Sequence, residues 1–173
     1  MPKKKNRKPN SGAAALLQKI AAHGWKQSGA VPEQLSLLVK YVDEEVAASV
    51  VNLSANGNAH DNLFEVMMAR FDILQKHRKA ILTIVAEVKR DPSLLRHLLP
   101  AQLEAMRKML KLAKLKQESA AEFLAPVGLL GVHAIALRSW ERDTTKDMAP
   151  TMAALDRHLR RAGKMAEIIF RAV

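Results

Sequence analysis

The chain contains no cysteine, which excludes disulfides, thiolate metal sites and a thiol nucleophile together. Aromatic residues make up only 4%, and glycine and proline number seven each, a composition that favours helices over sheets. No apolar run approaches the roughly 18 uninterrupted residues that mark a membrane span. The opening stretch MPKKKNRKPN is followed by no hydrophobic region, so it does not read as a secretory signal. What is present is 173 residues, 49% of them apolar and rich in Ala, Leu, Lys and Met, enough for one all-α domain with a sizeable core. With neither signal nor span, the expected location is the cytoplasm, and no cofactor or metal is expected.

The net charge is +11 at pH 7, and its placement matters more than its size. Lys3, Lys4, Lys5, Arg7 and Lys8 lie between Pro2 and Pro9, so residues 1 to 11 read as a flexible basic arm. Such an arm attracts phosphate by counterion release without reading sequence, giving weak, nonspecific nucleic-acid contact. A solubilising tail is the competing reading. The remaining positive charge is spread over helix faces, where charges are usually just solvated.

Helical periodicity divides the rest. Ser11 can cap a helix to about His23, with Ala14, Leu17, Ile20 and Ala21 on one face, and Gly24 should end it. Pro32 with Glu33 should open a second helix carrying Leu35, Leu38, Val39, Val42 and Val46. The Asn- and Gly-rich stretch 52 to 62 should be a turn. Asp61 or Asn62 should start a third helix with Phe64, Met67, Met68, Phe71 and Leu74 on its apolar face. A fourth is expected over residues 76 to 90, burying Ile81, Ile84, Val85 and Val88, before Asp91-Pro92 forces a turn. Pro100 should separate a short helix from one over 101 to 116, and Pro126 should break the weak segment before an apolar helix over 127 to 142.

The last helix has the clearest pattern. Met148, Met152, Leu155, Leu159, Ala162, Ala166, Ile169 and Val173 recur at four-three spacing, a coiled-coil-like seam whose alanines permit close approach. In the helix before it, Leu130, His133, Leu137 and Trp140 are spaced three, four and three, and the surrounding residues are apolar nearly all round. A helix with so little polar surface must be covered on more than one side. Pairing of these two helices between subunits accounts for both, with Leu130, His133, Leu137, Trp140, Met152, Leu155, Leu159, Ala162 and Ala166 in a homodimer interface. Burial within one subunit is the alternative.

No catalytic motif stands out. None of the six histidines forms a His-x-x-x-His pair, no glutamate precedes a histidine by three, and phosphate loops, GxGxxG and nucleophile elbows are missing. His60 with Asp61 and Glu65 could form an acid-base cluster, but helix capping and solvation explain it more economically. His133 reads as a satisfied core histidine and Trp25 as a lid on the N-terminal core. No catalytic residue and no enzyme activity are expected.

The runs LFEVMMARFDILQKHRKAILTI, DPSLLRHLLPAQLEAMRKML and GLLGVHAIALRSWERDTTKDMAPTMAALDRHLRRA resemble the ligand-binding and dimerisation part of TetR-family regulators. Arg70-Phe71-Asp72, Trp140-x-x-Asp143 and the TMAALDRHL run carry the resemblance most specifically. More narrowly, they resemble the proteobacterial branch akin to the ubiquinone-biosynthesis lipid-binding proteins. LLQKIAAHGWKQ also resembles the first helix of the family's N-terminal domain, after which a regulator has a helix, a turn and a recognition helix for the major groove. Here residues 26 to 31 alone intervene, so the resemblance implies a truncated helix-turn-helix in residues 12 to 52 and a ligand-binding, dimerising domain over 60 to 173. It implies a TetR-like bundle whose last two helices pair across a dimer. The pocket for a hydrophobic or lipid-like ligand would lie among Phe64, Met67, Phe71, Ile81, Ile84, Met106, Leu110 and Leu130, each of which also fits plain core. The expectation is a non-enzymatic ligand-binding protein that has lost base readout. A divergent transcriptional regulator, binding DNA through its arm or a partner, is the second reading.

Overall fold

The computed structural model describes residues 11–50, 58–115 and 119–171. Across these residues the chain forms seven α-helices and one short 3-10 turn, and no strand, in agreement with the all-α expectation. Helix α1, Ser11–His23, buries Ala13, Leu16, Leu17 and Ile20. Gly24 ends it in the left-handed region (φ 81°) and donates to the Ile20 carbonyl at 2.9 Å, where a side chain would be strained. Trp25 tucks into the core while its carbonyl accepts from the Ser28 hydroxyl at 2.6 Å.

The expected second helix follows as α2, Gln34–Ser49, burying Leu35, Leu38, Val39, Val42 and Val46 as their spacing predicts. Most of the turn expected over 52 to 62 lies outside the described residues. Helix α3, Ala59–Lys76, starts slightly before Asp61 because the Asn58 side chain caps it, accepting from the His60 amide at 3.1 Å. Helix α4, Arg78–Arg90, is set off from α3 by His77. Asp91 accepts from the Ser93 amide at 3.0 Å in the turn leading into the 3-10 segment Pro92–Leu94.

Two prolines behave differently from expectation. Helix α5, Leu95–Leu112, runs through Pro100, and α6, Ser119–Arg142, runs through Pro126. Pro100 is exposed, so the helical carbonyl that loses its partner there can take water instead. Pro126 is buried, and nothing in the structure explains its tolerance. Helix α7, Ala149–Arg171, follows Met148, whose backbone is left-handed (φ 54°).

Helix α6 packs chiefly on α7 and α5, α2 on α5 and α3, and α1 on α4. A single apolar cluster runs from Ala13 through Val46 and Met106 to Leu159. The helices of segment 12 to 52 therefore share their core with those of segment 60 to 173. Residues 24 to 33 form turns rather than a further helix, so between α1 and α2 there is no element that could enter a major groove.

Candidate functional site

One face of α3 carries Met67, Arg70, Phe71 and Leu74 into the core. Three are apolar, as a core requires, and Arg70 is not. Its side chain is 1% exposed. Arg70 Nη1 donates to Asp43 Oδ1 of α2 at 2.6 Å, and Nη2 donates to Gln102 Oε1 of α5 at 3.1 Å. Lys108, further along α5, reaches in from a partly exposed position to place Nζ 3.3 Å from Asp43 Oδ2. Three helices are thus tied by one polar cluster. Burial pulls the Arg70 pKa below its ordinary value, opposed by the charge and hydrogen bond of Asp43. The opposing carboxylate makes a buried guanidinium tolerable.

His133 of α6 stands beside this cluster, 4% exposed, its ring 5.3 Å from that of Phe71 between centroids. Burial first, and the nearby Arg70 charge second, push its pKa down to about 3, so the imidazole is neutral at pH 7. Arg70 Nε and His133 Nδ1 are both buried without a hydrogen-bond partner. A buried polar atom left unpaired costs about 1–3 kcal/mol. Arg70 Nε thus keeps an unused N–H donor, and His133 Nδ1 an unused nitrogen that donates or accepts by tautomer.

The eight expected pocket residues are placed as follows. Met67, Phe71 and Met106 are fully enclosed, Ile84 and Leu110 nearly so, and Phe64, Ile81 and Leu130 are half-buried. Met67 and Phe71 flank Arg70 on its own helix face, and Met106 lies one turn from Gln102 on α5. Two surface cavities among the described residues lie elsewhere and are lined by none of the eight. One, of about 380 Å³, lies between α1 and the α3–α4 junction. The other, of about 590 Å³, lies between the end of α6 and the start of α7.

The expected dimer residues divide. His133, Trp140, Leu155 and Leu159 are buried within the subunit, Leu130, Leu137 and Ala162 are half-buried, Met152 is exposed, and the side chain of Ala166 lies outside the described residues. The four buried positions are already enclosed within one chain. Trp140 is completely enclosed. Its indole N–H donates to Gln75 Oε1 at 2.9 Å, and the Arg78 guanidinium stacks 4.5 Å from its ring centroid. Arg78 also donates to the Trp140 and Glu141 carbonyls at 3.0 and 3.1 Å, capping the C-terminus of α6. The outward face of α6 instead carries Val127 and Ile135, both exposed.

Lys3, Lys4, Lys5, Arg7 and Lys8 lie outside the described residues. His60 bonds Asp61 at 3.2 Å and approaches Asp156 of α7 at 3.4 Å, joining two helices rather than forming a cluster with Glu65. Among the described residues no group of His, Asp and Glu has the arrangement to hold a metal ion, and no helix is long and apolar enough to cross a membrane.

Sequence reasoning missed Asp43, Gln102 and Lys108, although a signal existed. Asp43 falls between Val39 and Val46 on the stripe that α2 buries, where a carboxylate demands a partner. No family model, no curated protein and no solved structure matches this chain.

Proposed function

We propose that the protein is a non-enzymatic helical carrier that binds a hydrophobic, lipid-like molecule bearing a polar head group. The observation that carries this reading is the pair of unpartnered buried atoms, Arg70 Nε and His133 Nδ1, set among Met67, Met106 and Phe71, all fully enclosed. Unpaired polarity inside an apolar core is unfavourable by itself and becomes favourable when a head group supplies the missing hydrogen bonds. Methionine side chains re-pack readily, so the chain can open around an apolar tail without losing the cluster that recognises its head. The resemblance to the TetR-type ligand-binding part points the same way. The turns at 24 to 33 and the incorporation of α1 and α2 into the common core favour this reading over a transcriptional regulator. The proposal includes a cytoplasmic homodimer, supported by the exposed apolar residues Val127, Ile135 and Met152 on α6 and α7.

The test is native mass spectrometry and thermal melting of the full chain with palmitate and, separately, with a long isoprenoid alcohol. One ligand retained per subunit and a raised melting temperature are expected, because a ligand that binds only the folded form stabilises it by mass action. His133→Phe, which keeps an aromatic ring against Phe71 but removes the ring nitrogens, should fold and lose most of the affinity. If neither compound is retained or shifts the melt, the unpaired atoms are only a cost of the core and the reading is wrong.

A further inference from the structure

We infer that the elbow between α6 and α7 is a second binding site, one that takes a soluble small molecule carrying two or more phosphoryl groups. The cavity there, about 590 Å³, is of a size that suits small ligands. Arg138 and Arg142, one turn apart on α6, and Arg157 on α7 contribute to its lining, with the hydroxyl-bearing Ser139, Thr144 and Thr145 between them. Among the described residues, none of the three arginines has an ion pair or side-chain hydrogen bond.

The one carboxylate in the lining is Asp143, and it is already committed. Its Oδ1 accepts from the Thr145 amide and hydroxyl at 3.0 and 2.6 Å, and its Oδ2 from the Thr151 amide and hydroxyl at 3.1 and 2.7 Å. Three guanidiniums thus face one cavity against a single carboxylate that is turned to the loop. Like charges one helical turn apart repel, so Arg138 and Arg142 are mildly unfavourable neighbours until an anion comes between them. Each guanidinium presents a planar fork that matches phosphoryl oxygens, and two or three forks round one space suit a di- or triphosphate better than a single phosphate.

The backbone beneath is fixed rather than loose. Asp143 holds both ends of the loop, Ser139 Oγ donates to the Pro150 carbonyl at 3.2 Å, and the left-handed Met148 has its side chain buried. Ligand groups presented from a braced elbow lose less entropy on binding than groups on a free loop. This site shares no residue with the Arg70 and His133 cluster, so its success or failure is independent of the proposed lipid carriage.

Calorimetric titration of the full chain with inorganic pyrophosphate at about 0.15 M salt, where general surface attraction is screened beyond about 8 Å, tests the inference. Binding is expected, with Arg142→Gln and Arg157→Gln each weakening it about tenfold, the loss of one charge-assisted hydrogen bond. Lys40→Gln on the exposed face of α2 and Lys19→Gln on the exposed face of α1 remove the same charge elsewhere and should change nothing. The result that overturns the proposal is absence of pyrophosphate binding, or a loss in the control variants equal to that in the arginine variants. Two further arms use vesicles containing phosphatidylglycerol and a DNA duplex. Arginine-dependent binding to either one without binding of pyrophosphate would also overturn it, assigning the elbow to a membrane surface or to nucleic acid.

Discussion

The molecule holds two sets of arginines that differ in almost everything except residue type. Arg70 is sealed in the core with Asp43 and Gln102 arranged around it, whereas Arg138, Arg142 and Arg157 ring an open cavity with no counter-charge of their own. The first set fixes the relative position of three helices. The second contributes nothing visible to the fold. An arginine's role therefore follows from what its guanidinium has been given to bond with, and charge counts taken along a sequence blur the two cases.

The sharpest way to break the comparison is to remove the buried member. Arg70→Met leaves Asp43 enclosed opposite a thioether, with Lys108 alone to answer it, and should cost roughly 3–5 kcal/mol in urea denaturation, as breaking buried pairs does. Combining it with Asp43→Leu should recover part of the loss. A cost below about 1 kcal/mol would mean that the cluster is solvated and the contrast false.

The next effect concerns pH. His133 binds a proton in the unfolded chain near 6.5 but in the folded chain only near 3. Between those values the unfolded state holds more protons, so stability present above pH 6.5 is lost progressively as pH falls toward 3. The loss is at most about 1.4 kcal/mol per pH unit. Melts at about pH 6.5 and about pH 4.5, both inside that window, should therefore differ, and His133→Phe should flatten most of that difference. An unchanged slope would move the acid sensitivity to other groups.

The smallest effect belongs to the open set. Arg138→Gln should leave stability within about 0.5 kcal/mol of the parent, as exposed substitutions usually do, and relief of its repulsion with Arg142 makes a slight gain the expected sign. A clear destabilisation would show that the elbow arginines also hold structure, and the two sets would no longer be distinct in kind.

Most helices were legible because each buries one apolar stripe: the spacing of Leu35, Leu38, Val42 and Val46 specifies α2 without further information. Helix interruptions were less legible. Pro100 and Pro126 mark breaks in a pattern, yet both lie inside helices; exposure to water accounts for the first, and the second has no structural explanation. The polar cluster was hidden for a different reason. Arg70 is separated from Asp43 by 27 residues and from Gln102 by 32, and a sequence shows that a charge sits on an apolar face without showing which partner awaits it. The seam of α7 was visible as a seam, but periodicity cannot say whether its partner belongs to the same chain. For Leu155 and Leu159 it does.

Trp140 makes the molecule its own optical gauge. Its indole is enclosed, bonded to Gln75 and overlain by Arg78, and it stands just before the elbow, so its emission should register both loosening of the core and movement of the α6 terminus. The only other indole is Trp25, in the turn that follows α1. With Trp25→Phe in place, a single indole would follow the chain through ligand titration or unfolding without any attached label.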